Sequence, residues 1–140
     1  MKTANAFFAG FDASGIIPTS AIGVHHPSTD EKRISFEMDE LAFTDYGGDV
    51  TVDDKNHVHV DDWDIGTTEP GSSGSPLFDQ DKRIIGQLHG GGAACGNELS
   101  DWYGAIAHSW EGGGSPNTPL KYWLDPNNTG TLVTDGRYAT

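Results

Sequence analysis

Glycine punctuates this chain heavily, at 19 of 140 positions, with seven prolines besides. Ordinary usage is about 7% glycine, so tight turns are frequent and long helices few. Between the breaks lie short apolar or β-branched runs at Ala6–Phe11, Ala21–His25, Arg33–Glu37, His57–Asp62, Pro76–Phe78, Arg83–His89 and Trp102–Ile106. His57-Val58-His59-Val60 alternates with the period of two expected of a half-buried strand. Arg83 to Leu88 follows the turn Asp79–Lys82 and reads as the second strand of a hairpin begun at Pro76. Six or seven such strands predict an all-β barrel or sandwich. One helix is legible near Pro119–Leu124: Asn117 or Thr118 caps it, Pro119 takes a first-turn position, and Asp125-Pro126 ends it. Thr129–Thr140 reads as a loose tail. No linker or repeat divides the chain, and its length suits one domain with a real core.

Charge excludes two classes of partner. The net charge is −13, from 21 acids against eight bases. A basic face for phosphates or anionic lipid is out of reach, so neither nucleic acid nor membrane is an expected partner. No run approaches the roughly 18 apolar residues that span a bilayer, and the opening Met1–Asp12 lacks the apolar core of a signal peptide. Ten acids fall between Glu37 and Asp64 against a single base, Lys55, and such a run reads as a solvated face. Asp61, Asp62 and Asp64 suggest Ca²⁺, but the loop with its fixed glycine and terminal glutamate is absent. No metal and no cofactor is expected. Cys95 is the sole cysteine, which excludes an internal disulfide and a CxxC site.

The stretch Thr67 to Phe78, TTEPGSSGSPLF, is the most informative. It is short and leads directly into an apolar strand. Gly71 permits a backbone angle that a β-carbon forbids. The amides of Gly71 and Ser73 can then aim at one point beside the Ser73 hydroxyl, an oxyanion hole whose donors are each worth on the order of 10²–10³ in rate.

This stretch resembles the signature of the chymotrypsin-like serine peptidases, and it places the nucleophile at Ser73. The likeness is closer to one branch, the secreted bacterial lysyl endopeptidases. It runs through His25-His26-Pro27, Glu31 to Ser35, Thr68 to Pro76, Gly86 to Gly91, Ser100 to Gly104 and Trp123 to Pro126. The resemblance implies the C-terminal barrel of a trypsin-like double barrel: an antiparallel, six-stranded Greek-key barrel over residues 1–136, with a short C-terminal helix and a tail at 137–140. It implies a secreted enzyme that cuts protein or peptide substrates.

Such a fold takes its general base and its orienting aspartate from an N-terminal barrel. The family's Ala-x-His-Cys context is missing here, so the triad His and Asp are expected on a missing N-terminal barrel, and this chain alone is expected to be inactive. His25 and His26 read as hydrogen-bonded loop residues; His57 and His59 receive no role. A Ser73–Asp101–His108 triad in the α/β-hydrolase order fails, because a strand rather than a helix follows the serine.

The position of trypsin's pocket acid is Thr67 here. By resemblance the pocket acid is Asp101, His89 lines the same wall, Tyr46 stands where the family has an aromatic stacking partner, and Thr68, Gly90 and Gly91 complete the substrate site. Gly90 and Gly91 suit a strand edge that receives substrate backbone. Cys95 matches a cysteine that the family bonds to its N-terminal region. Cleavage after lysine is the implied specificity. The alternatives are a glutamyl-type endopeptidase using His89, and a non-catalytic barrel.

Overall fold

Side-chain alternation builds the sheet. In β3 (Ala21–His25) the first, third and fifth residues are buried, and β6 (His57–Val60) and β7 (Pro76–Asp79) each bury alternate positions. The computed structural model describes residues 5–113, 115 and 117–139. In chain order these two-residue and longer elements are β1 (Phe7–Phe8), β2 (Phe11–Asp12), β3, β4 (Arg33–Glu37), β5 (Ala42–Thr44), β6, β7, β8 (Ile84–Gly91), β9 (Asp101–Ala105), α1 (Ile106–Glu111), α2 (Lys121–Leu124), β10 (Val133–Thr134) and β11 (Arg137–Tyr138).

The main sheet runs β4-β3-β7-β8-β9-β6-β5, antiparallel at every step. A hairpin, β3–β4, and a meander, β7–β8–β9, are thus joined out of sequence order, as a Greek key requires. Six of these strands make up the expected all-β antiparallel sheet, which is not closed into a continuous ring. Its seam, between β6 and β4, is not a continuous ladder. One isolated bridge spans it: Phe36 N–H donates to Ile65 O at 2.8 Å, and Ile65 N–H to Phe36 O at 3.1 Å. β5 lies outside these six, hydrogen-bonded to β6.

Val58, Val60, Leu77 and Tyr103 are fully buried at the centre, with Ala21, Ile85, Leu88, Ala105 and Trp63 around them. A second cluster holds Ala13, Ile106 and Trp110, with Phe11, Ile84 and Leu120 against it. It seats α1, a helix the sequence reading does not contain. Its buried residues Ile106 and Trp110 lie one turn apart, the spacing that puts two side chains on one helix face.

Three other expectations change. The single run Ala6–Phe11 divides into β1 and β2. The helix expected over Pro119–Leu124 is confined to Lys121–Leu124. The C-terminal segment is not loose: β10 pairs with β2 and β11 with β1, and Ala13 N–H donates to Leu132 O at 2.8 Å. The residues expected as a tail, 137–140, therefore include paired backbone at Arg137–Tyr138. Residues 1–4 and 140, at the limits of the expected domain and tail, lie outside the described residues.

Candidate active site

The segment from Asp61 to Ser75 links the seam to β7, and most of the site hangs on it. After the bridge at Ile65 the chain passes Thr67, Thr68 and Glu69 and turns at Pro70–Ser73. Gly71 adopts φ +99°, an angle that only glycine takes freely. A β-carbon there would also stand 3.3 Å from His26 O. Ser72 is buried and Ser73 exposed. Ser72 N–H donates to Glu69 O (3.0 Å), Gly74 N–H to Leu88 O (2.8 Å) and Ser75 N–H to Ser72 O (3.1 Å). The amides of Gly71 and Ser73 have no acceptor among the described residues.

Glu69 braces this turn from below. Its carboxylate accepts the Ser28 hydroxyl (2.8 Å) and the Cys95 amide (3.1 Å), and Ser28 N–H reaches Pro70 O at 2.7 Å. The Ser28 hydrogen bond holds its carboxyl below the usual range. The Cys95 thiol is free and exposed.

Beside Ser73 opens a cavity of about 260 Å³, lined by Thr68, Glu69, Pro70, Leu88, Gly90 to Ala94 and Asp101 as well as the serine. Asp101 is 1% exposed. Its Oδ2 accepts the Trp63 indole N–H (2.9 Å) and the Thr68 hydroxyl (2.6 Å). Its Oδ1 packs against the neighbouring strand at Gly91, where a β-carbon would stand 2.5 Å from Oδ1 and 2.2 Å from Ser100 O. Gly91 is therefore required by the close approach of two strands. Thr67 lies behind this wall: its carbonyl accepts the Ser35 hydroxyl at 3.0 Å, and it borders a separate cavity of about 320 Å³ with Cys95 and Ile34.

His89 occupies a different place from the one expected. Leu88 pairs with Tyr103 and Gly90 with Trp102, so the register shifts across His89. A bulge of this kind re-aims the extra side chain. His89 is exposed and does not line the cavity that holds Asp101. It packs tilted against Tyr46, with centroids 4.2 Å apart, and its Nδ1 lies 2.8 Å from Nε2 of His57. Burial, then the neighbouring His89, lowers the His57 pKa. His59 stacks on Trp102 at 4.9 Å.

Of the sequence-derived set, then, Ser73, Thr68, Gly90, Gly91 and Asp101 share one cavity; Gly71 shapes the turn at its rim; Thr67 and His89 stand outside it. No histidine hydrogen-bonds Ser73 among the described residues. His25 and His26 are each hydrogen-bonded, but separately. His26 Nδ1–H donates to Asp30 O (3.2 Å), while buried His25 lies 3.0 Å from both the Ser72 and Ser35 hydroxyls. His108 faces Asp54 at 3.6 Å, so Ser73, Asp101 and His108 are not assembled. The acids of the 37–64 stretch regroup as well: Asp64 joins Glu37 and Asp39, not Asp61 and Asp62.

Trp63 and Ser72 were not legible as site residues. For Trp63 a signal existed, a lone indole among Asp61, Asp62 and Asp64, which only burial of the ring explains. For Ser72 none did, since the motif that marks Ser73 leaves Ser72 at its variable position.

The sheet, with its serine turn, is the C-terminal half of a chymotrypsin-type fold. A family model described as the lysyl endopeptidase C-terminal domain matches residues 1–104, and the chain belongs to that family. The match places it among peptidases and stops within β9, leaving α1 and α2 beyond the matched stretch. Among the described residues no helix is long and apolar enough to cross a membrane.

Proposed function

We propose that this chain supplies the nucleophile, oxyanion hole and specificity pocket of a secreted serine endopeptidase that cleaves after lysine. The single observation that carries this reading is that Ser73 and Asp101 line the same small cavity. A lysine side chain entering from the serine end would meet a carboxylate. An ammonium left without such a partner in a buried slot costs several kcal/mol. A compact ammonium suits one available carboxylate oxygen better than a forked guanidinium does.

Ser73 would attack the scissile carbonyl, and the Gly71 and Ser73 amides, free of other acceptors, would receive the oxyanion. An alcohol is a poor nucleophile without a base. The triad His and Asp would come from an N-terminal barrel, and Cys95, exposed and unbonded, would form a disulfide to that region. The glutamyl alternative is disfavoured, since Asp101 would repel an acidic side chain and His89 stands outside the cavity.

The test is steady-state kinetics of the two-barrel enzyme on lysyl, arginyl and glutamyl substrates. Asp101→Asn is expected to lower kcat/KM for lysyl substrates by at least ~10²-fold, equivalent to about 3 kcal/mol of transition-state binding. Unchanged lysine cleavage, or a wild-type preference for glutamate, would overturn the reading.

A further inference from the structure

His25 is a fully buried imidazole that the chemistry above does not use. It ends β3 at 1% exposure, and both ring nitrogens are engaged: Nδ1 with Ser72 Oγ and Nε2 with Ser35 Oγ, each at 3.0 Å. The direction of these bonds follows from counting protons. A serine hydroxyl has one. Ser35 donates its proton to the carbonyl of Thr67 at 3.0 Å, so it must accept from His25, and the imidazole carries its hydrogen on Nε2. Nδ1 is then an acceptor and takes the Ser72 proton. The Ser72 oxygen in turn faces the Glu69 amide at 3.4 Å. The chain of donors runs one way, from Glu69 N–H through Ser72, His25 and Ser35 to Thr67 O.

This relay has a place as well as a direction. It begins and ends on the segment that walls the cavity, crosses β3 and β4, and grips the one residue between the two amides left free for an oxyanion. Resting on the reading of Ser73 as the nucleophile, we propose that His25 is a positioning residue. Held neutral with its hydrogen on Nε2, it fixes Ser72 and thereby the Gly71–Ser73 turn.

The charged surroundings agree. Burial lowers the His25 pKa most; buried Asp101 pulls the other way, and His26 opposes protonation again. A second ring hydrogen would point at Ser72 Oγ and leave the Ser72 proton without its acceptor.

Two measurements test this. Long-range ¹⁵N–¹H correlation of the labelled protein at neutral pH reads the tautomer directly: a neutral ring with hydrogen on Nε2 is expected. Hydrogen on Nδ1, or an imidazolium, would overturn the relay. The second compares two probes by NMR titration of the two-barrel enzyme, where the base for Ser73 is present, and of its Ser72→Ala variant. One is n-butylammonium, which needs only the cavity; the other is a boronic acid bearing a lysine side chain, which also needs Ser73 and the turn. Ser72→Ala is expected to weaken the boronate at least ~10-fold, short of the 10²–10³ of a lost oxyanion donor, and to leave butylammonium binding as in wild type. Unaltered boronate affinity, or equal loss of both probes, would refute positioning by Ser72. Wild type that binds butylammonium but not the boronate would instead remove the serine reading itself, and the positioning role with it.

Discussion

The hydroxyl of Thr68 lies 2.6 Å from Oδ2 of Asp101, and both residues are almost wholly buried. The residues are 33 positions apart, on the segment before the serine turn and on β9. With the Trp63 indole on the same oxygen, the pair makes a buried carboxylate tolerable.

Thr68→Val keeps the shape and removes one donor. A buried acceptor that loses its partner costs about 1–3 kcal/mol. The urea midpoint should fall with no change in m, the sign of lost stability in an otherwise similar fold. An unchanged midpoint would mean that water or Trp63 replaces the hydroxyl fully.

Gly91→Ala should be worse than its size suggests. The new methyl would meet the Ser100 carbonyl at 2.2 Å and Asp101 Oδ1 at 2.5 Å, and backbone does not yield as a flexible side chain does. Overpacking of this kind typically costs about 1–3 kcal/mol. It should also displace Asp101, so butylammonium binding should weaken together with stability. Loss of stability with intact binding would show that the strand moves and the pocket does not.

Glu37 gives the fold a pH dependence of defined sign. Burial pushes its carboxyl up to about 7; the Asp39 amide opposes this, and the neighbouring Asp64 adds to it. A carboxyl whose pKa is raised on folding is accommodated best when protonated. The folded state therefore holds its full stability below the unfolded carboxyl pKa and loses part of it as pH rises through about 7. Glu37→Gln should remove that loss, so that its unfolding midpoint no longer falls between pH ~5 and ~8 by this route. Parallel pH profiles for variant and wild type would refute the assignment.

The β7–β8 hairpin contains a removable strain. Lys82 has φ +63° in a turn organised by Asp79, whose Oδ1 accepts the amides of Asp81 and Arg83 at 2.9 Å each. A side chain in the left-handed region costs roughly 1–2 kcal/mol, partly offset by the greater entropy that glycine loses on folding. Lys82→Gly should therefore raise stability by about 0.5–1 kcal/mol, read as a higher midpoint in urea. A lower midpoint would show that entropy outweighs strain here.

How far the residues alone led can be judged at particular places. β3 and β4 stand where their apolar runs end, and the hairpin at Asp79–Lys82 has both alternation and turn chemistry to announce it. β5 lay hidden in the acidic stretch, with Phe43 as its one large apolar residue. α1 spans six residues, with Ala105 at its N-cap position and no side-chain cap, so neither length nor capping marked it. β1, β2, β10 and β11 have two residues each; their pairing comes from tertiary contact, not from any local preference. At the site, local motifs marked the serine turn, while contacts between distant segments escaped them. His57 and His89 are 32 positions apart and Trp63 and Asp101 are 38 apart. The bulge that turns His89 away from the cavity depends on how β8 meets β9.

The seam at Phe36 and Ile65 is held by only two backbone bonds. The segment that makes this bridge then carries Thr68 to Asp101 and Ser72 to His25. Opening of this seam is for this reason expected to loosen the pocket with it. A molecule seated against Asp101 would act as a latch on the far strand, slowing amide exchange at Phe36 without touching it.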